Sequence, residues 1–218
     1  TEHTVYLKDY APSAYLIDRV ELDVRFAPER TRVRAVLRLR PNDGTAPGTP
    51  LVLNGDGLVP SAVALDGAPL AVAAYAADDD GLTIFNPPPR PFALETEVVL
   101  SPESNTRLMG LYRSNGPWCT QCEPEGFRRI TYFLDRPDVL AVYSVRMEAD
   151  RSLAPVLLAN GNLVEQGELG DNRHFARWDD PFPKPSYLFA MVAGDLGSIH
   201  DSFTTASGRK VALGIYCE

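Results

Sequence analysis

At 218 residues, with 44% hydrophobic and 23% charged side chains, the chain can bury a substantial core without a metal or disulfide to staple it. A net charge of −8 with no sustained Lys/Arg cluster excludes the electrostatic footprint of a nucleic-acid binder. No apolar run approaches the roughly 20 residues of a membrane-spanning helix, and the opening "TEHTVYLKDY" lacks the charged and apolar regions of a secretion signal, so no membrane partner is expected and the cytoplasm is the expected location.

Taken in chain order, "VELDVRF" alternates strictly: Val20, Leu22, Val24 and Phe26 face one way, and Glu21, Asp23 and Arg25 the other. After "APER", Val33, Ala35, Leu37 and Leu39 alternate with Arg32, Arg34, Arg38 and Arg40, which predicts an antiparallel partner with ion pairs across the two outer rows. Asp66-Gly67 and Asn160-Gly161 are dipeptides suited to positive φ, and each predicts a hairpin. The Pro-rich stretches "NPPPRPF" and "DPFPKPS" read as connections that stop edge pairing. Tyr143, Val145, Met147 and Ala149 mark another half-buried strand, "YLFAMVAG" (187–194) reads as a strand covered on both faces, and "KVALGIY" (210–216) as the last strand.

No window shows a capped 3.6-residue period; Pro137 after Asp135 allows at most a short helix near 136–141. The 16 Gly and 19 Pro fit many short strands and turns, so the expected fold is all-β, with antiparallel sheets packed as a sandwich in one domain over 1–218. The apolar run that leads into Cys217-Glu218 gives the expectation of a piece cut from a longer protein.

Among chemistry-bearing residues, Cys119-x-x-Cys122 invites a zinc or redox reading. Zinc commonly takes four ligands, whereas the remaining candidates are Cys217, His3, His174 and His200 with no short spacing between them, and a redox pair wants a βαβ setting. The two cysteines therefore read as framework in a turn. The sequence contains no His-Glu-x-x-His helix, phosphate loop or Gly-x-Ser-x-Gly elbow, so the expected count of catalytic residues and of cofactors held by this chain is zero. Glu123 and Glu125, beside Gln121, would share a face if extended, and a solvated turn accounts for them equally well.

The segments "LVLNGDGL", "NTRLMGLYRSNGPWCTQCEPEGFRRITYFLDRPDVLAVYSV", "LLANGN", "WDDPFPKPSYLFAMVAGDL" and "FTTASGRKVAL" together resemble the amino-terminal domain of the bacterial aminopeptidases N, zinc metallopeptidases of family M1. The resemblance implies a saddle-shaped β domain that packs on a thermolysin-like catalytic domain, which carries the zinc and its ligands. It further implies that the Gln-x-Glu turn enters the catalytic cleft, Glu123 binding the free α-amino group of a peptide substrate and Gln121 lining the first side-chain pocket. On this view Arg128 and Arg129 anchor the turn from behind, the docking surface lies around 104–135, and the chain alone is inactive. The rival from another class is a non-enzymatic β-sandwich that binds a partner.

Overall fold

A computed structural model describes residues 6–218. Its strands are β1 (Tyr15–Arg25), β2 (Thr31–Pro41), β3 (Leu51–Asn54), β4 (Pro60–Leu65), β5 (Ala68–Pro69), β6 (Tyr75–Ala77), β7 (Gly81–Ile84), β8 (Phe92–Leu100) and β9 (Gly110–Arg113). They continue with β10 (Trp118–Gln121), β11 (Ala141–Asp150), β12 (Val156–Ala159), β13 (Asn162–Leu169), β14 (Arg173–Lys184), β15 (Met191–Gly194), β16 (Gly197–Thr204) and β17 (Lys210–Cys217). The helical pieces among the described residues are single 3₁₀ turns, so the all-β expectation holds.

Eight strands form the large sheet, in the order β13-β14-β11-β1-β2-β8-β4-β5. The β1/β2 register sets Val20 opposite Leu37, Leu22 opposite Ala35 and Val24 opposite Val33, and all six are buried, as the alternation predicted. The outer-face charges pair across strands, though not only across that hairpin. Arg38 meets Glu21 at 3.6 Å, while Arg32 and Arg34 turn to Glu97 and Glu95 on β8, and Asp23 takes Arg146 of β11 at 3.2 Å. One neighbour relation departs from the antiparallel expectation: β1 and β11 run parallel, which a chain returning across many residues permits and a tight turn does not.

Two smaller sheets, β12-β15-β10-β9 and β3-β7-β6, share one buried cluster with the large sheet. That cluster takes Val20, Leu37 and Met147 from the large sheet, Leu53 and Leu82 from the three-stranded one, and Trp118 and Met191 from the four-stranded one. The segment between β10 and β11 threads this core. Phe127 sits against Phe133, Tyr143 and Phe189 at centroid distances of 4.9, 5.9 and 5.1 Å, each near edge-to-face.

Of the local expectations some hold and others are corrected. Asp66-Gly67 does turn the β4–β5 hairpin, with φ of 50° and 82°. Asn160-Gly161 does not make a hairpin: β12 pairs with β15 and β13 with β14, so the dipeptide passes the chain from one sheet to another. Only Gly161 of that pair takes a positive φ, and a Cβ on it would lie 2.3 Å from the Asp179 carbonyl oxygen. "DPFPKPS" is largely inside β14. Its Pro181 and Pro183 lie beyond Asn162↔Asp179, where β13 has ended and β14 has no outer neighbour to need their missing N–H groups. "YLFAMVAG" is strand only from Met191; Ser186–Leu188 form a 3₁₀ turn and Leu188 is exposed. The helix allowed near 136–141 is absent, and Pro137-Asp138 make a plain turn. Asp135, the residue that would have capped it, commits its carboxylate to Arg128 and Ser186 instead.

Candidate functional site: the turn after β10

Strand β10 delivers the Gln-x-Glu turn, and its own position is well fixed. Trp118 is 1% exposed, stacks under the Arg113 guanidinium at 4.2 Å, and pairs with Arg113 on β9 and Ala193 on β15. The β9–β10 connection is itself a tight turn, with Asn115 at φ 49°, Gly116 at φ 131°, and the Ser114 N–H donating to the Pro117 carbonyl at 3.0 Å.

Beyond β10 the chain closes on itself. The Gly126 N–H donates to the Cys122 carbonyl at 2.8 Å, and a Cβ on Gly126 would lie 2.2 Å from the Gln121 carbonyl oxygen, so only glycine fits that approach. Cys122 is buried and Phe127, at the start of the next 3₁₀ turn, is fully buried, so both feet of the loop stand in the core. Between them Glu123, Pro124 and Glu125 are exposed, as is Gln121 just before Cys122. The Gln121 side-chain amide donates to the Glu123 carbonyl at 3.1 Å, tying the two residues together. The Glu123-Pro124 peptide is cis.

The two acids of the turn differ in their surroundings. Glu125 meets Arg128 at 3.3 Å, whereas among the described residues Glu123 has no cationic side chain within 4.0 Å. Glu123 lines a cavity of about 470 Å³ together with Pro124, Pro137, Tyr187 and two further acids, Glu125 and Asp135, both of which pair with Arg128. A free carboxylate over a mainly apolar hollow suits a ligand that carries one positive charge on an otherwise apolar group.

Asp135 is the residue that sequence reading undervalued. Its side chain is 1% exposed, and it accepts from the Arg128 backbone N–H at 3.1 Å, from Arg128 Nε at 3.0 Å and from the Ser186 hydroxyl. Nothing in the spacing signals this, since Ser186 lies 51 residues away and meets Asp135 only after folding. Arg129 turns elsewhere, to Asp56 at 2.6 Å, which ties the same 3₁₀ turn to the loop after β3.

The cysteines are free: Cys119 half-buried, Cys122 buried and Cys217 exposed. Burial pushes the thiols of both Cys119 and Cys122 up, that of Cys122 strongly. Since the thiolate is the reactive form, native protein treated with a thiol reagent at neutral pH is expected to label rapidly at Cys217 and slowly at the other two. Rapid labelling of Cys119 and Cys122 would restore the redox reading. His174 is buried with Nε2 at 2.7 Å from the Ala154 carbonyl oxygen, His200 is exposed, and His3 lies outside the described residues. No group of three or more His, Cys, Asp or Glu among the described residues is placed to hold a metal.

The all-β fold described above is also found as part of solved metallopeptidases. The M1 zinc metallopeptidase of Deinococcus radiodurans superposes with a TM-score of 0.77 over 94% of this chain and 48% of its own, at 18% identity. Legionella pneumophila aminopeptidase A, solved in complex with aspartic acid, does so with a TM-score of 0.90 and 36% identity over 96% of this chain and 25% of its own. The Peptidase M1 N-terminal domain model matches residues 20–188, and the chain belongs to that family. Aminopeptidase N of Caulobacter vibrioides is 53% identical over all of this chain, and that of Escherichia coli 46% identical over 98% of it. The chain spans about a quarter of the length of these relatives: 25% and 24%.

Proposed function

We propose that this domain serves a zinc-dependent aminopeptidase of the cytoplasm, where Glu123 receives the α-ammonium of a peptide substrate and Gln121 lines the pocket for its first side chain. The observation that carries the reading is Glu123 itself, an exposed carboxylate without a cationic partner among the described residues, on a turn whose neighbouring acid is already paired. A peptide's α-amino group has a pKa near 8, so at neutral pH it enters mostly as an ammonium and needs an anion when it leaves water. Held there, it fixes which peptide bond lies at the reacting position, so only the first is cut. The zinc belongs to residues outside this chain. Free thiols at all three cysteines fit a reducing compartment. The test is Glu123→Gln in the whole enzyme, for which kcat/KM on peptides with a free amino terminus is expected to fall by roughly 30- to 1,000-fold.

The same reading includes docking on the catalytic part of the parent polypeptide, and the favoured surface is the β16–β17 hairpin. Between 104 and 135, Leu108 is the large apolar side chain that stands exposed. The hairpin, by contrast, sets Ile199 opposite Ile215, Asp201 opposite Leu213 and Phe203 opposite Val211 on one face, with Ile199 69%, Phe203 59% and Ile215 66% exposed. It forms a sheet of its own, outside the span that the family model matches, and a lone two-stranded ribbon with a bare apolar face is marginal in water. The relatives contain roughly three further quarters of chain to cover it. Cys217 lies on this face, opposite Gly197. It is expected to react with N-ethylmaleimide in the 218-residue chain and to be shielded in the full-length enzyme; equal labelling in both would remove the hairpin as the docking surface.

A further inference from the structure

The geometry points to Arg128 as the positioning residue of the recognition turn: by gripping Asp135 and Glu125 at once, it holds the loop so that Glu123 is presented without a partner. The inference rests on the reading of Glu123 given above.

Four contacts made by Arg128 lie on both sides of the loop. Its backbone N–H and Nε both donate to one Asp135 carboxylate oxygen, at 3.1 and 3.0 Å, and Nη2 donates to the Asp135 carbonyl at 3.0 Å. Nη1 lies 3.3 Å from Glu125 Oε2, two residues beyond Glu123. The backbone contact would survive substitution, but the three side-chain contacts need a planar fork with donors on several edges; a lysine ammonium, a compact point charge, cannot occupy all three positions from one stem.

The far end of the brace is itself fixed. The Asp135 N–H donates to the Asn54 side chain at 3.1 Å, and its second carboxylate oxygen accepts from Ser186. Asn54 closes β3 and exchanges backbone hydrogen bonds with Phe133 at 2.8 and 3.1 Å. The loop is therefore held through Arg128 to the three-stranded sheet and to the 3₁₀ turn before β15. Arg128 is mostly covered, with 21% of its side chain exposed, against 63% for Glu125, so the inner half of the grip is shielded from solvent screening and the outer half is open to it.

The experiment is a double-mutant cycle in the full-length enzyme, with Arg128→Lys and Glu123→Gln made singly and together and kcat and KM measured on an aminoacyl chromogenic substrate. Arg128→Lys is expected to raise KM about tenfold with kcat within about twofold of the parent and zinc content unchanged. Made in the Glu123→Gln background, it is expected to add almost nothing, since the group it positions is gone. A purely structural arginine would cost the same factor in both backgrounds, and that result overturns the inference. Should Arg128→Lys fold poorly, Glu125→Gln removes the exposed half of the grip; a smaller rise in KM, again lost in the Glu123→Gln background, is expected, and an unchanged KM counts against the role. If Glu123→Gln alone leaves kcat/KM intact, the reading of Glu123 fails and the role of Arg128 fails with it, whereas an effective Glu123→Gln with additive Arg128→Lys removes only the latter.

Discussion

The full-length enzyme carrying Glu123→Gln is expected to lose roughly 30- to 1,000-fold in kcat/KM on peptides with a free amino terminus, with its zinc and its unfolding midpoint unchanged. The size follows from Coulomb attraction. A carboxylate about 4 Å from an ammonium contributes on the order of 4 kcal/mol at an effective dielectric of about 20, less what desolvation of the two groups takes back. About 2 to 4 kcal/mol then remains, at roughly 1.4 kcal/mol per factor of ten. Glutamine keeps the shape and an acceptor oxygen but not the charge, so the loss reports charge alone. Stability should not move, because the Glu123 side chain is exposed and makes no ion pair among the described residues. A substrate with an acetylated terminus offers no ammonium, and its residual turnover should be insensitive to the change. Equal kcat/KM for the variant and the parent on free peptides would take Glu123 out of the site.

Much of the fold was legible because burial on one face leaves a period of two in the residues. Val20 to Phe26, Val33 to Leu39 and Tyr143 to Ala149 announce β1, β2 and β11, and the structure buries the residues that the alternation selected. Turn dipeptides were less reliable, since they specify a backbone bend and not what the flanking strands pair with. Asn160-Gly161 bends the chain between two sheets, while Asn115-Gly116, whose signal was equally plain, closes the β9–β10 hairpin that delivers the site. The prolines of "DPFPKPS" were misread for a related reason: a missing N–H excludes a strand only where that N–H has a partner to meet, and there β14 has no outer neighbour and its register against β11 shifts. The residues of the candidate site came from family resemblance, and composition alone left Glu123 and Glu125 equivalent. What separates them is Arg128, whose grip depends on Asp135 and thus on contacts with Asn54 and Ser186 far along the chain.

Asp135→Ala in the 218-residue chain is expected to cost about 3 to 5 kcal/mol of folding stability, the range for removing one partner of a buried ion pair. The cost arises less from the lost attraction than from what is left behind. Arg128 keeps only the exposed Glu125 as a counter-charge, its backbone N–H loses its acceptor, and the Ser186 hydroxyl, on a residue 1% exposed, loses its acceptor as well. For a domain of this size that corresponds to a fall in Tm of roughly 10 °C. Asp135→Asn should cost less, because an amide oxygen can still accept from the backbone or from the hydroxyl, though not with the strength of a carboxylate. Asp138 is the control three residues away. Its partner Arg136 is at 2.7 Å, but both side chains are about one third exposed (35% and 30%), so solvent screens the pair and Asp138→Ala should cost at most about 1 kcal/mol. Arg136 holds the Asp138 carboxyl below the usual range by hydrogen bonding; what stabilisation that pair gives is present above the unfolded pKa and fades as pH falls through the folded one. Denaturant melts of the three variants at neutral pH decide the matter: Asp135→Ala no worse than Asp138→Ala would mean that the buried carboxylate does not hold the turn in place.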